Sequence, residues 1–235
     1  PTATDDITVS TIKRDDYFYV DTIVFQVEDT LFRVPRWGFE DPECFFADMF
    51  KSALPGSGPN GEQIEGTSDD SPIVLEGESK LHFRAFLKAL YSPIYKIIPD
   101  PGKPYNSNLD REVDIGHYDE WLGVLHLATK WHFVSIRKQA IQKVKRLFPE
   151  KMKGWDKIAI ARKYNVREWL EKEYVALVNQ SRAHNIIRLC EKMGISEAYR
   201  VLQLRENNGD GGRRQISRDL ILKSFAPEIK SVGTE

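Results

Sequence analysis

The sequence predicts an α+β fold, with a strand-bearing first third and a helical remainder. Three observations carry this. Residues 22–27 (TIVFQV) and 30–34 (TLFRV) are β-branched and aromatic runs. Only Glu28-Asp29 separates them, which is hairpin spacing. From about residue 118 onward, apolar residues recur at i, i+3, i+4 and i+7, the period of amphipathic helices. Nothing repeats at a fixed longer period, which excludes solenoids and propellers.

Residues 1–16 are polar and rich in Thr and Asp, and read as a loosely held N-terminal arm. In the second strand Leu31 and Arg33 face one side, Phe32 and Val34 the other. Pro35 ends it, having no N–H for the ladder. Pro42 suits the first turn of a short helix carrying Cys44, Phe45, Phe46, Met49 and Phe50. Residues 51–71 have loop composition, and 72–76 (PIVLE) reads as a short apolar strand. Ser79 is placed to cap a helix with Phe83, Phe86, Leu87, Leu90 and Tyr91 on one stripe. Residues 92–117 hold four prolines and form a second long loop.

The helical remainder shows successive apolar faces. Trp121, Val124, Leu125 and Ala128 form the first. Ile136, Ala140, Val144, Leu147 and Phe148 form the next, and Val166, Trp169, Leu170, Tyr174 and Leu177 a third. Ile186, Cys190 and Met193, then Ile195, Ala198, Tyr199 and Leu202, complete the series, with Gly194 between them as a C-terminal cap. The stretch 207–214 (NNGDGGRR) reads as a linker, and a short amphipathic piece with Ile216, Leu220, Ile221 and Phe225 precedes Pro227.

Over the whole chain 35 acidic and 34 basic side chains nearly cancel, leaving a formal charge of -1. That balance gives no basic excess for nucleic acid, and Lys143, Lys145 and Arg146 read as the wet face of a helix. The two cysteines, Cys44 and Cys190, lie far apart in apolar patterns and read as thiols of a reducing compartment. The N-terminus lacks the apolar stretch of a signal peptide, and no apolar run approaches the roughly 18–20 residues of a membrane span. The expectation is an intracellular protein, cytoplasmic or nuclear, with no membrane partner. Asn179-Gln180-Ser181 then reads as a chance glycosylation triplet.

The chemistry-bearing motifs fail one by one. Gly56-Ser57-Gly58-Pro59-Asn60-Gly61 fits G-x-G-x-x-G, but a dinucleotide site needs it between a strand and a helix N-terminus. Here it follows a helix and leads into more loop, and Pro59 removes a donor. The histidines, His82, His117, His126, His132 and His184, show no metal-ligand spacing. Asp114 lies near His117, but nothing supplies further ligands. Cys44 sits among phenylalanines, where a thiol stays neutral, and no G-x-S-x-G occurs. Trp121, Trp131, Trp155 and Trp169 fall in or beside apolar stripes and read as core, while Trp37, just past the hairpin, reads as a half-exposed interface anchor. The expectation is therefore no catalytic residue, no metal, no cofactor and no enzyme activity.

The run 21–50 (DTIVFQVEDTLFRVPRWGFEDPECFFADMF) resembles the opening of a BTB/POZ domain. That opening has an aspartate before a strand, a tight hairpin, a second strand ending in a basic residue, and a helix closing on an aromatic-x-x-Met-Phe pattern. Here the pattern is Phe46-Ala47-Asp48-Met49-Phe50. Residues 71–93 (SPIVLEGESKLHFRAFLKALYSP) are similar to the family's third strand and following helix, and 121–144 (WLGVLHLATKWHFVSIRKQAIQKV) to its closing helix pair. In this order, over about 17–148, the chain most resembles the expanded BTB proteins of fungi, basidiomycetes among them. The resemblance implies a BTB/POZ fold, a small sheet surrounded by helices, followed by an α-helical C-terminal extension. It implies self-association and partner recruitment, without catalysis or cofactor. Asp21 and Arg36 match the positions of a charged pair that some members keep in a pocket at the dimer interface.

Three departures stand out. Asp41-Pro42-Glu43-Cys44-Phe45 lacks the usual serine before the aromatic of the first-helix motif. Both loops, 51–71 and 92–117, exceed the family's core. Lys96 stands where the family's cullin-gripping element wants Glu.

The expected organisation is an arm (1–16), a BTB/POZ domain (17–148), a helical extension (149–206) with 157–170 as its core, and a linker and tail (207–235). The expected function is a protein-interaction module whose partners are proteins, a second copy in a homodimer among them. Candidate interface residues are Asp21, Arg36, Trp37, Phe39 and Phe45. One short helix can turn only part of the dense run Trp37, Phe39, Phe45, Phe46, Met49, Phe50 inward, which leaves the rest as a patch. One alternative is a substrate adaptor of a cullin-type ubiquitin ligase, with weak cullin binding because of Lys96. Another is a small-molecule enzyme with a site between sheet and helices.

Overall fold

The computed structural model describes residues 12–16, 18–52, 65–92, 115–180, 185–207 and 215–233. The fold is α+β and divides into two compact units. The first is Pro1–Val113 with Trp131–Phe133; the second is Asp114–Lys130 with Val134–Glu235. The helices on either side of 131–133 thus fall in the second unit with the later ones.

The first unit is built on the hairpin. β1 (Thr22–Val27) pairs antiparallel with β2 (Thr30–Pro35), with Phe25 opposite Phe32. The two-residue turn needs the left-handed region, and Glu28 adopts it at φ 53° in place of glycine. Lys80 clamps that turn, its Nζ 2.6 Å from Asp29 Oδ1. Hydrogen bonds from Lys80 and Thr30 hold the Asp29 carboxyl below its ordinary range, and the same contact with Asp29 raises Lys80. β3 (Ile73–Val74) joins the other edge of β1 in parallel, giving the order β2-β1-β3. The central strand is buried at Ile23, Val24, Phe25 and Val27, hence an apolar run interrupted only at Gln26. β2, at the edge, alternates, with Leu31 and Arg33 exposed.

A 3-10 turn, Arg36–Phe39, follows β2 directly. α1 (Phe45–Ser52) begins three residues later than the proline rule suggested. Asp41 explains the delay. Its Oδ1 accepts the Glu43 N–H (3.0 Å) and its carbonyl the Cys44 N–H (3.0 Å), making a separate turn first. α2 (Lys80–Leu90) starts at its expected cap, where Ser79 Oγ accepts the Leu81 N–H. The core is aromatic. Phe25 meets Phe39, Phe46 and Phe83 with centroids 4.8, 5.7 and 5.4 Å apart, and Trp131 packs against Phe46, Phe83 and Phe86.

In the second unit α3 (Tyr118–Lys130) packs on α4 (Val134–Leu147), and α5 (Gly154–Lys163) on α6 (Arg167–Asn179). Asn165, at φ 53°, turns the chain between the last two. α7 (Ile186–Met193) and α8 (Ile195–Asn207) meet at Gly194, whose φ of 87° suits the expected cap. α9 (Arg218–Ser224) and α10 (Ala226–Ser231) follow. Trp169, Leu170, Tyr174 and Ile158 form the centre, and Tyr174 stacks on Phe225 at 4.1 Å. Arg162 lies against both Glu197 and the Tyr174 hydroxyl. Burial lowers the Arg162 pKa, but its hydrogen bond to the Glu197 carboxylate and the neighbouring Tyr174 outweigh it, and the net shift is upward.

The stripe expected over 186–202 is met in part. Met193 and Ala198 are buried as expected, whereas Ile186, Ile195 and Tyr199 are exposed and Leu189 and Val201 are buried instead. The neighbouring elements decide which positions turn inward, so a period alone did not set the face.

The glycine-rich run 56–61, Lys96, Asp114, His184 and most of the arm, both long loops and the linker lie outside the described residues. No helix among the described residues is long and apolar enough to cross a membrane.

Candidate interaction surface

The candidate residues fall on one short stretch, 36–45, plus the start of β1. The Arg36 N–H donates to the Asp21 carbonyl (2.8 Å), which fixes where the chain leaves β2. Two residues on, Gly38 lets the backbone lie against Tyr91. A Cβ at Gly38 would fall 2.5 Å from the Tyr91 hydroxyl oxygen and 2.6 Å from its ring. The Tyr91 hydroxyl donates to the Pro35 carbonyl, and burial pushes its phenol well above the usual value. Trp37 stands edge-on to this fixed ring, centroids 5.1 Å apart at 87°. Its own side remains 49% exposed.

Phe45 opens α1. Its N–H donates to the Trp131 carbonyl (3.0 Å), and its ring meets Phe46 edge-on at 5.6 Å. Phe45 is 61% exposed. The result is two large aromatics held from beneath and open above. Rings so fixed lose little conformational freedom on contact with a partner.

Phe39 is corrected: it is 0% exposed and lies in the core against Phe25, Phe46, Phe86 and Phe133. Its backbone carbonyl also accepts from the Cys44 thiol (3.2 Å), so Cys44 is buried and tied into the core. Phe46 is buried too, so the dense aromatic run divides into inner and outer members.

Within the chain Asp21 and Arg36 are joined through backbone, while the Arg36 guanidinium pairs with Glu40 (3.1 Å) and lies 4.8 Å over the Phe50 ring. Spacing of i, i+4 within the 3-10 turn brings Glu40 closer than the strand-end aspartate. Asp21 instead lines an open depression with Arg14, Phe18, Tyr19, Val20 and Thr22. There the Arg14 guanidinium sits 4.5 Å over Tyr19, and Asp15 Oδ1 accepts the Phe18 N–H.

Sequence reading missed Tyr91 and Gly38 as the support of Trp37. The signal was available: a glycine directly after an exposed tryptophan marks close backbone approach. Among the described residues no three His, Cys, Asp or Glu side chains converge as metal ligands would. Comparisons with models of known protein families, with curated proteins and with solved structures find no match for this chain.

Proposed function

We propose that the chain is a BTB/POZ-type protein-interaction module that recruits a partner, or a second copy, through the surface around Trp37 and Phe45, and does not act as an enzyme. One observation carries this reading. Two rigidly backed aromatics stay exposed within ten residues, above an aromatic core that buries Phe39 and Phe46. Aromatic anchors of this kind dominate binding energy at interfaces. The β-hairpin, the third strand and the capped helix of residues 21–91 follow the order that the family resemblance implies, which supports the assignment. Among the described residues the ligase-adaptor reading gains nothing comparable, since Leu81 is the one large exposed apolar side chain of α2.

Quantitative affinity capture from native extract tests the proposal. The intact chain is compared with Trp37→Ala/Phe45→Ala, and both are checked for equal thermal stability. The reading expects specific protein partners lost from the double variant. Capture unchanged by the substitutions overturns it.

A further inference from the structure

The near-zero net charge hides a strong separation. The first unit holds 11 Lys/Arg against 20 Asp/Glu, a formal charge of -9; the second holds 23 against 15, a charge of +8. The separation sharpens locally. α4 contains five basic residues and no acidic one, and over 134–153 seven basic residues face a single Glu150. Lys138, Arg146, Lys151 and Lys153 are exposed and make no ion pair among the described residues. Val134 and Leu147, at the two ends of α4, are exposed apolar side chains. The helix is thus a basic rod about 21 Å long with an apolar side chain at each end.

The Trp37–Phe45 stretch has the opposite character. Besides the two exposed rings it carries Glu40, Asp41 and Glu43, all exposed, against Arg36 alone. Two copies meeting there face to face would set these carboxylates against their own counterparts, a costly arrangement. A basic, apolar-ended helix would instead place cations on carboxylates and aliphatic side chains on the rings.

We propose that α4 of a second copy occupies the Trp37–Phe45 surface, giving head-to-tail, salt-sensitive self-association. This rests on the Trp37–Phe45 surface being an interaction site. It favours a second copy over a nucleic acid because one contact uses both charge excesses, whereas a polyanion would use one and be repelled by the other. One helix laid on a ten-residue stretch belongs to the weak, transient class of contact, below about 1,200 Å² in total.

Sedimentation velocity on the intact chain tests it, using exposed positions, of which Glu40 alone gives up an ion pair among the described residues, that with Arg36. One variant is Lys138→Glu/Arg146→Glu, the other Glu40→Lys/Glu43→Lys; melting curves confirm that both fold. The wild type is expected to associate at micromolar concentration and ~0.05 M salt, and about tenfold more weakly at ~0.5 M, where the screening length shortens. Each reversed variant alone is expected to stay monomeric, and an equimolar mixture to associate again, since every reversed surface then meets its complement. Association retained by Lys138→Glu/Arg146→Glu overturns α4 as the occupant. If Trp37→Ala/Phe45→Ala still abolishes that association, the surface itself stands. A wild type that remains one chain at all concentrations also overturns the inference, as does α4-dependent binding of duplex DNA without self-association.

Discussion

Trp37 rests edge-on against Tyr91, 5.1 Å between centroids, while the Tyr91 hydroxyl holds the Pro35 carbonyl two residues before Trp37. One buried side chain thus sets both the backbone and the ring of the exposed anchor. Tyr91→Phe keeps the ring and removes the hydrogen bond. It should cost about 1 kcal/mol of stability, read from urea unfolding, without loss of partner capture.

Gly38→Ala should be worse than its size suggests. The new methyl would lie 2.5 Å from the Tyr91 hydroxyl oxygen and 2.6 Å from a packed ring. Overpacking of this kind costs about 1–3 kcal/mol. In a Tyr91→Ala background the methyl has room, so the same substitution should cost less than about 0.5 kcal/mol there; a double-mutant cycle measures the coupling.

Phe39 and Phe45 are six residues apart and should behave oppositely. Phe39→Ala removes a ring packed against four others and should destabilise by about 3–5 kcal/mol. Phe45→Ala should stay within about 1 kcal/mol of wild type, because its ring is mostly in solvent. Chemical denaturation of the two single variants checks the contrast.

Alkali should weaken the fold. Burial, with the charges of Asp119 and Tyr164 adding to it, pushes the Tyr118 phenol up to about 12 from its ordinary 10.0. Below pH 10 native and unfolded chains both hold this proton. Between the two values the unfolded chain releases it first, so stability falls as pH rises. Burial raises Tyr91 and Tyr174 in the same direction. The Tyr118 hydroxyl is also buried with no hydrogen-bond partner among the described residues. Tyr118→Phe should therefore be neutral or stabilising by up to about 1 kcal/mol at pH 8, and should flatten the fall between about pH 10 and 12 in urea titrations.

What was legible in the sequence depended on local rules. The hairpin register, the Ser79 cap, the Gly194 cap and the buried face of α6 follow from propensity and period, which act over a few residues. The division of aromatics between Trp37 and Phe39 does not. Residues 36–45 have no period, and Phe39 is drawn inward by Phe25, Phe86 and Phe133, which are remote from it in sequence. That Glu40, four residues on, holds the Arg36 guanidinium within the chain was not legible from the resemblance, which pointed to Asp21. The charge separation was countable in the sequence, but a whole-chain sum of -1 conceals it.

On the proposed function, Trp37 and Phe45 bind a partner without holding up the fold. Quantitative affinity capture with the intact chain and its Trp37→Ala/Phe45→Ala variant, matched for melting temperature, tests it most directly. The variant should fold as the wild type does and lose the partners that the wild type retains. An unchanged set of captured proteins, at unchanged abundance, would contradict it.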